Sequence, residues 1–161
     1  MRKTRRFALS ILVFALLLSL IGSGRASAAG GGGAGEVVGY YASWAAAQGH
    51  TPDKLPAEQF TQINYAFAKL EDGRAVLGDP VRDGKTLREL TGLRKRNPDL
   101  KIVLSLGGWD DSAGFSDAAA SAEGRRMFAR SCVDLLLAHG LDGVDLDWEY
   151  PVSGGAPGVV H

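Results

Sequence analysis

The sequence lacks several features that mark common classes of protein. Its 161 residues contain a single cysteine, Cys132, so no disulfide can form within the chain, and this side chain is predicted to be a small buried helix residue. No GxGxxG follows the first predicted strand and no GxxxxGK[ST] occurs anywhere, which removes most support for a nucleotide-binding fold. Beyond the first residues there is no basic cluster, and this argues against nucleic acid as a partner.

The N-terminus also lacks an apolar run of membrane-spanning length. Four of the first six residues are basic, and the apolar stretch 7–21 has only 15 residues, against the roughly 20 that a spanning helix needs. Ala26-Ser27-Ala28 fits a signal-peptidase site. These features predict a signal peptide over residues 1–28, secretion to the extracellular medium and no membrane contact after cleavage. A membrane anchor is the alternative interpretation.

Removal of the predicted leader changes the charge of the chain. The leader carries five of the 18 basic residues and none of the acidic ones, which leaves 13 basic against 18 acidic side chains. Residues 29–36 are rich in glycine and predict a flexible linker. Residues 37–161 are then predicted to form one domain.

Four apolar segments predict β-strands. They are rich in branched and aromatic residues with glycine or proline nearby, and they lie at residues 37–41, 62–68, 101–108 and 143–149. Helical patterns separate them, so the order predicts a parallel α/β sheet with right-handed crossovers. Both a doubly wound sheet and a (β/α)8 barrel satisfy this order.

Local signals place the elements between the strands. Leucines recur at helical spacing over residues 87–93, and a longer apolar helix face runs from Met127 to Leu136 and ends at Gly140. Residues 51–59 predict a shorter helix or turn. Asp72-Gly73 is typical of a tight hairpin after the second strand.

The most unusual stretch is LDGVDLDWEYP, residues 141–151, which places four carboxylates inside an apolar run. Side chains alternate between the two faces of a strand, so Asp145, Asp147 and Glu149 are predicted to share one face. Carboxylates crowded on one face repel one another and resist desolvation, and such clusters are typical of functional sites. The segment lacks the glycine-centred turn of a calcium loop, and no metal or other cofactor is predicted.

This stretch resembles the active-site signature of glycoside hydrolase family 18, the chitinases, and meets every position of its DGxDxDxE pattern. A second motif of that family, SxGG, occurs upstream at Ser105-Leu106-Gly107-Gly108. The resemblance extends from Val37 to the end of the chain. It implies a (β/α)8 barrel, and the substrate that it implies is chitin or oligosaccharides of N-acetylglucosamine.

The resemblance also implies a role for each carboxylate. Glu149 is expected to protonate the glycosidic oxygen and later to activate water. The family uses no protein nucleophile, because the N-acetyl carbonyl of the substrate attacks the anomeric carbon. Asp147 is expected to hold that acetamido group and stabilise the intermediate, and Asp145 to share a proton with Asp147.

Further residues are expected to support these three. In the family, the tyrosine of the first strand and the serine of SxGG hydrogen-bond to the middle aspartate, and the corresponding positions here are Tyr40 and Ser105. Asp142 is expected to fix the loop at the entry of the last strand. Trp44 and Trp109 follow strand ends, where they could stack on sugars or pack, and both are left outside the predicted site.

A (β/α)8 barrel needs about 250 residues and eight strands, whereas four strands are predicted here. Residues 37–161 are therefore expected to be the N-terminal half of a secreted, endo-acting chitinase domain, inactive by itself. Two alternatives stay open: a chitin-binding, lectin-like relative without catalysis, and a hydrolase of other N-acetylglucosamine glycans such as peptidoglycan or N-glycan cores. The presence of Glu149 favours an enzyme.

Overall fold

The computed structural model describes residues 35–152 of the chain. The predicted signal peptide, residues 1–28, and most of the predicted linker lie outside these residues. Between residues 35 and 152, no helix has the length and apolar character that a membrane crossing requires.

Strands and helices alternate along the described residues. The strands are β1 (Val38–Ala42), β2 (Gln62–Glu71), β3 (Arg74–Val76), β4 (Lys101–Gly107) and β5 (Gly143–Asp147), and the α-helices are α1 (Pro80–Gly92), α2 (Phe115–Ala120) and α3 (Ala122–His139). Short 3₁₀ turns occupy Ala46–Gln48, Pro52–Lys54, Ala57–Gln59 and Leu93–Lys95.

The main sheet is parallel and has the strand order β1-β2-β4-β5. Each strand therefore lies beside the previous parallel strand of the chain, and the order never reverses. A doubly wound sheet reverses its order at a switch point, whereas a barrel adds each strand on the same side. The architecture is the first four parallel strands of a (β/α)8 barrel with their connecting helices and turns, the barrel that the family resemblance predicted.

The hairpin predicted at Asp72-Gly73 is present. It joins β2 to the short antiparallel strand β3, and both turn residues have positive φ, 49° at Asp72 and 71° at Gly73. Two consecutive residues of positive φ are the requirement of the tight hairpin turn whose twist matches the flanking strands. Strand β2 is longer than predicted because it continues into this hairpin.

The helix ends also follow their sequence signals. Asp79 caps α1, since its carboxylate accepts from the N–H groups of Val81 and Arg82. Helix α3 ends at Gly140, which has φ 64°, a left-handed conformation that glycine adopts without a Cβ penalty.

The core lies between the sheet and its helices. Its fully buried members include Ile102 and Leu104 of β4 and Leu87 and Leu90 of α1. Cys132 of α3 is 6% exposed, in agreement with its prediction as a buried helix residue. Burial raises the pKa of its thiol to about 11, so this cysteine stays protonated at neutral pH.

A buried polar contact joins β2 to α1 on this helix-covered side. The hydroxyl of Tyr65 donates to Asp83 Oδ1 at 2.8 Å, and Arg82 Nε donates to the same oxygen at 2.9 Å. Tyr65 and Asp83 are both fully buried. Burial, followed by the hydrogen bond to Asp83, raises the pKa of Tyr65, which keeps it a donor.

The apolar face of β5 is only partly covered. Val144, Leu146 and Trp148 line a cavity of about 500 Å³ beside α3. Leu146 is 53% exposed, and Leu137 of α3 is 78% exposed. Within the described residues β5 pairs only with β4, so its other edge is unpaired.

We expect these apolar side chains and the free strand edge to cause self-association of the chain. Replacing Leu137 and Leu146 together by lysine should shift purified protein towards the monomer, because charge disfavours contact between copies at both places. Analytical ultracentrifugation at several concentrations measures this. An unchanged distribution of species would contradict the expectation. Leu104→Lys, at a fully buried position, should instead unfold the protein.

Candidate active site

The acidic signature lies at the carboxyl end of the last strand. Asp145 and Asp147 belong to β5, while their neighbours Val144 and Leu146 line the cavity on the helix side. Strand alternation therefore places the two aspartates on the opposite, inward face. The strand was predicted to reach Glu149 but ends at Asp147. The direction of the Glu149 side chain thus stays a prediction.

One oxygen atom accepts hydrogen bonds from side chains on three other strands. Oδ2 of Asp145 accepts from the hydroxyl of Tyr40 at 2.8 Å, from Ser105 Oγ at 2.8 Å and from Asn64 Nδ2 at 3.2 Å. Tyr40 lies on β1, Asn64 on β2 and Ser105 on β4. The four parallel strands of the sheet thus meet at the carboxyl group of Asp145.

Tyr40 and Ser105 both donate to Asp145, the middle one of the three aspartates Asp142, Asp145 and Asp147, and the register of the strands gives the reason. Ser105 of β4 lies directly opposite Asp145, whereas Asp147 lies opposite Gly107, which has no side chain to donate. Register between neighbouring strands depends on their packing and cannot be read from either strand alone.

The same contact affects the tyrosine. The hydrogen bond to the Asp145 carboxylate, then burial, raises the pKa of Tyr40 above its ordinary value, and the charges of Asp145 and Asp147 add to this effect. Tyr40 therefore remains a neutral donor throughout the neutral pH range. Its ring is 60% exposed, because the described residues leave the inward face of the sheet open.

Asn64 is a site residue that the sequence interpretation missed. It is 2% exposed and stands directly opposite Tyr40 in the register of β1 and β2. A signal for it existed: within the apolar run of β2, Gln62 and Asn64 are polar at a spacing of two. That spacing indicates a polar inward face.

The SxGG motif combines a donor with two close backbone approaches. Gly107 has φ 103°, and a Cβ there would overlap the carbonyl oxygen of Asp147. Gly108 has φ 78°, and a Cβ there would lie 2.9 Å from the ring of Phe67. The backbone N–H of Gly108 donates to the Asp147 carbonyl at 2.8 Å. Glycine at both positions therefore lets the end of β4 contact the carboxyl end of β5.

Ser112 is the second residue that sequence reasoning missed. It is fully buried in the loop after β4. Its hydroxyl donates to the Gly108 carbonyl at 2.8 Å, lies 3.2 Å from the Asp147 carbonyl, and accepts from the N–H of Glu149 at 3.0 Å. The backbone on both sides of Trp148 is thereby fixed to one loop. A serine in a loop carries no sequence pattern that could have indicated this.

Asp142 lies at the other end of β5, away from the Asp145 cluster. Its Oδ2 accepts from Arg94 Nη2 at 2.6 Å and from the N–H of Ile102 at 2.7 Å. Arg94 also donates to the carbonyl of Gly140, where α3 ends. These contacts join the entry of β5 to β4 and to the turn that precedes it.

Metal binding was not expected from the sequence. The residues from 35 to 152 contain no group of three or more His, Cys, Asp or Glu side chains placed to hold a metal ion.

Acidic side chains at the carboxyl end of β5, on a sheet that forms the first part of a (β/α)8 barrel, are typical of a glycoside hydrolase of barrel fold. The chain belongs to the family described as Glycosyl hydrolases family 18, whose model matches residues 36–156. This match covers most of the chain and includes both motifs.

Several relatives carry names from this family. The chain is 36% identical to Chitinase A1 of Niallia circulans, in a match that covers 98% of the chain and 29% of that protein. It is 36% identical to Chitinase B of Serratia marcescens, over 68% of the chain and 24% of that protein. The chain thus spans less than a third of the length of these relatives.

Solved structures agree with the fold. Chitinase ChiA74 from Bacillus thuringiensis superposes with a TM-score of 0.73 at 30% identity, over 78% of the chain and 29% of that structure. The second catalytic domain of the Group II chitinase of Ostrinia furnacalis gives 0.66 at 40% identity, over 72% of the chain and 32% of that structure.

Two serines allow a matched test of the loop after β4. Ser112→Ala removes a buried acceptor from the N–H of Glu149, so the free energy of unfolding should fall by about 1–3 kcal/mol. The hydroxyl of Ser116 is also buried but has no partner within the described residues, so Ser116→Ala should be neutral or stabilising. Urea denaturation followed by tryptophan fluorescence measures both. Equal effects would contradict the assigned contacts.

Proposed function

We propose that this chain is the catalytic half-barrel of an endo-acting chitinase, which hydrolyses β-1,4 linkages between N-acetylglucosamine units with retention of configuration. The observation that carries the proposal is the convergence of three donors on Asp145 within the DGVDLDWE signature. The chitinase names of the relatives support the substrate class.

In this proposal Glu149 is the general acid and base. It protonates the glycosidic oxygen as the bond breaks, then removes a proton from the water that completes hydrolysis. Its position two residues after β5 suits this role, because active sites of such barrels lie at the carboxyl ends of the strands. The hydrogen bond from its N–H to buried Ser112 limits the movement of its backbone.

Asp147 and Asp145 act as a pair in the same reaction. Asp147 orients the acetamido group of the substrate, whose carbonyl oxygen attacks the anomeric carbon, and then stabilises the positive charge of the cyclic intermediate. Asp145 shares a proton with Asp147, so the pair carries one negative charge. The donors Tyr40 and Ser105 support that charge at Asp145.

Two exposed aromatic rings extend the same end of the sheet. Trp44 follows β1 and is 52% exposed, and Trp109 follows β4 and is 53% exposed. Flat apolar rings of this kind suit the faces of sugar rings, so both are candidates for contact with neighbouring units of the polymer. Asp142, joined to Arg94, serves the fold of the strand entry and has no contact with substrate in this proposal.

The direct test is Glu149→Gln, assayed in a form of the protein that carries the complete barrel. Glutamine is nearly isosteric but cannot donate the proton, and general acid–base catalysis contributes about 10²–10⁴-fold. Hydrolysis of a fluorogenic chitobiose substrate should fall by at least that range, while binding of chitin oligosaccharides is retained. A lectin-like protein would show no hydrolysis with Glu149 intact. Faster release of other N-acetylglucosamine glycans would reassign the substrate.

We also propose that the chain is secreted after cleavage of residues 1–28. The basic start, the apolar stretch and Ala26-Ser27-Ala28 support this. Mass spectrometry of the culture medium should find a mature N-terminus at or near Ala29. A cell-bound protein that retains Met1 would support the anchor interpretation instead.

The 161-residue chain by itself should show no appreciable hydrolysis. Within residues 35–152 no strand stands opposite the inward face of the four parallel strands, and Tyr40 on that face is 60% exposed. A substrate would then meet the carboxylates in water, which weakens every electrostatic contact with the transition state. Turnover within tenfold of the complete-barrel form, lost on Glu149→Gln, would contradict this expectation.

A further inference from the structure

A chain of two amides leads to the Asp145 carboxylate along the inward face of β2. Gln62 Nε2 donates to Asn64 Oδ1 at 2.7 Å, and Asn64 Nδ2 donates to Asp145 Oδ2 at 3.2 Å. The two amides are two residues apart on one strand, so they share a face. Asn64 is 2% exposed, and Ser105, which donates to the same carboxylate, is fully buried.

This arrangement fixes which end of the Asn64 amide meets the carboxylate. A carboxamide has one accepting oxygen and one donating nitrogen. Because Gln62 donates to the oxygen, the nitrogen is the end that faces Asp145. The reverse orientation would place two accepting oxygens against each other at Asp145 and two donors against each other at Gln62. Gln62 thus keeps Asn64 a donor.

The three donors use only one of the two oxygens of Asp145. Tyr40, Asn64 and Ser105 all donate to Oδ2, whereas Oδ1 has no hydrogen-bond partner within residues 35–152. A carboxylate oxygen has about two lone-pair sites, so three donors saturate Oδ2. A proton shared with a neighbouring acid then has one place on Asp145, which is Oδ1.

We propose that Asn64, held by Gln62, is a positioning residue for the reaction: it completes the saturation of Asp145 Oδ2 and so leaves Oδ1 as the atom that shares the proton with Asp147. The inference rests on the proposed function of the pair. It adds a residue from β2 to the two supporting donors that the family resemblance implied, Tyr40 and Ser105.

The groups that face Asp145 determine what a change at Asn64 does. They are the neutral Tyr40 from β1, the neutral Ser105 from β4 and the acidic Asp147 on the same strand. Among these contacts no cation balances the carboxylate. Loss of the Asn64 donor therefore makes the negative charge of the pair less favourable and lets the Asp145 carboxyl group rotate.

The test uses Asn64→Leu, which has nearly the same size and no donor, in a complete-barrel form of the protein. We expect kcat to fall about tenfold, as for loss of a hydrogen bond to a charged group, with KM little changed. The acidic limb of the pH–rate profile should move to higher pH. Asn64→Asp, which replaces the donor by an acceptor, should move the acidic limb further towards higher pH and should lower kcat more than Asn64→Leu does.

Two further variants separate the possible results. Tyr65→Phe is next along β2 on the opposite face, where it loses the bond to buried Asp83, so it should lower stability without moving the limb. If Asn64→Leu resembles Tyr65→Phe, with lower stability and an unmoved acidic limb, Asn64 is only structural and the inference is overturned.

Glu149→Gln in the same series tests the proposed function. Retained hydrolysis in Glu149→Gln overturns the function. Abolished hydrolysis in Glu149→Gln, together with an unmoved limb for Asn64→Leu, overturns this inference alone.

Discussion

The arrangement at the candidate site depends on the carboxylate of Asp145 and the donors that surround its Oδ2. Charges crowded on a strand face oppose folding, since each resists removal from water and repels its neighbour. Here the opposing energy is offset by hydrogen bonds from β1, β2 and β4. Those bonds require all four parallel strands to be in one register. The site can therefore form only when the sheet is complete to β5. The sheet in turn places this polar cluster at the end of the barrel where the carboxyl ends of the strands lie.

The contact between β4 and β5 shows how one short motif serves both packing and chemistry. Ser105 supplies a donor, and Gly107 and Gly108 allow the backbone of the two strands to meet beyond the point where side chains would permit it. Ser112 then joins the same loop to the N–H of Glu149. A substitution in this loop would therefore affect the position of the proposed acid without touching a substrate.

The two faces of β5 have different roles. The inward face carries the carboxylates, while Val144, Leu146 and Trp148 pack towards α3 and Phe115, with the Trp148 and Phe115 rings 5.5 Å apart. Val144 and Trp148 are partly buried against the core. This packing holds the strand in place and allows the other face to bear charges that would not stabilise a strand. The free edge of β5 and the open inward face agree with the short span of the chain relative to its relatives.

Much of this protein could be predicted from its sequence, because the deciding signals are local. Alternation along residues 143–147 separates the aspartates from the apolar side chains, Asp72-Gly73 requires a tight turn, and Gly140 ends a helix; each is decided within a few residues by backbone sterics. Only the tertiary structure decided that Tyr40, Asn64 and Ser105 donate to the same oxygen of Asp145, and that Asn64 and Ser112 join the site. These contacts link residues 35 to 105 positions apart in the chain. They depend on the register between parallel strands, which the packing of whole strands and helices sets and which no local pattern encodes.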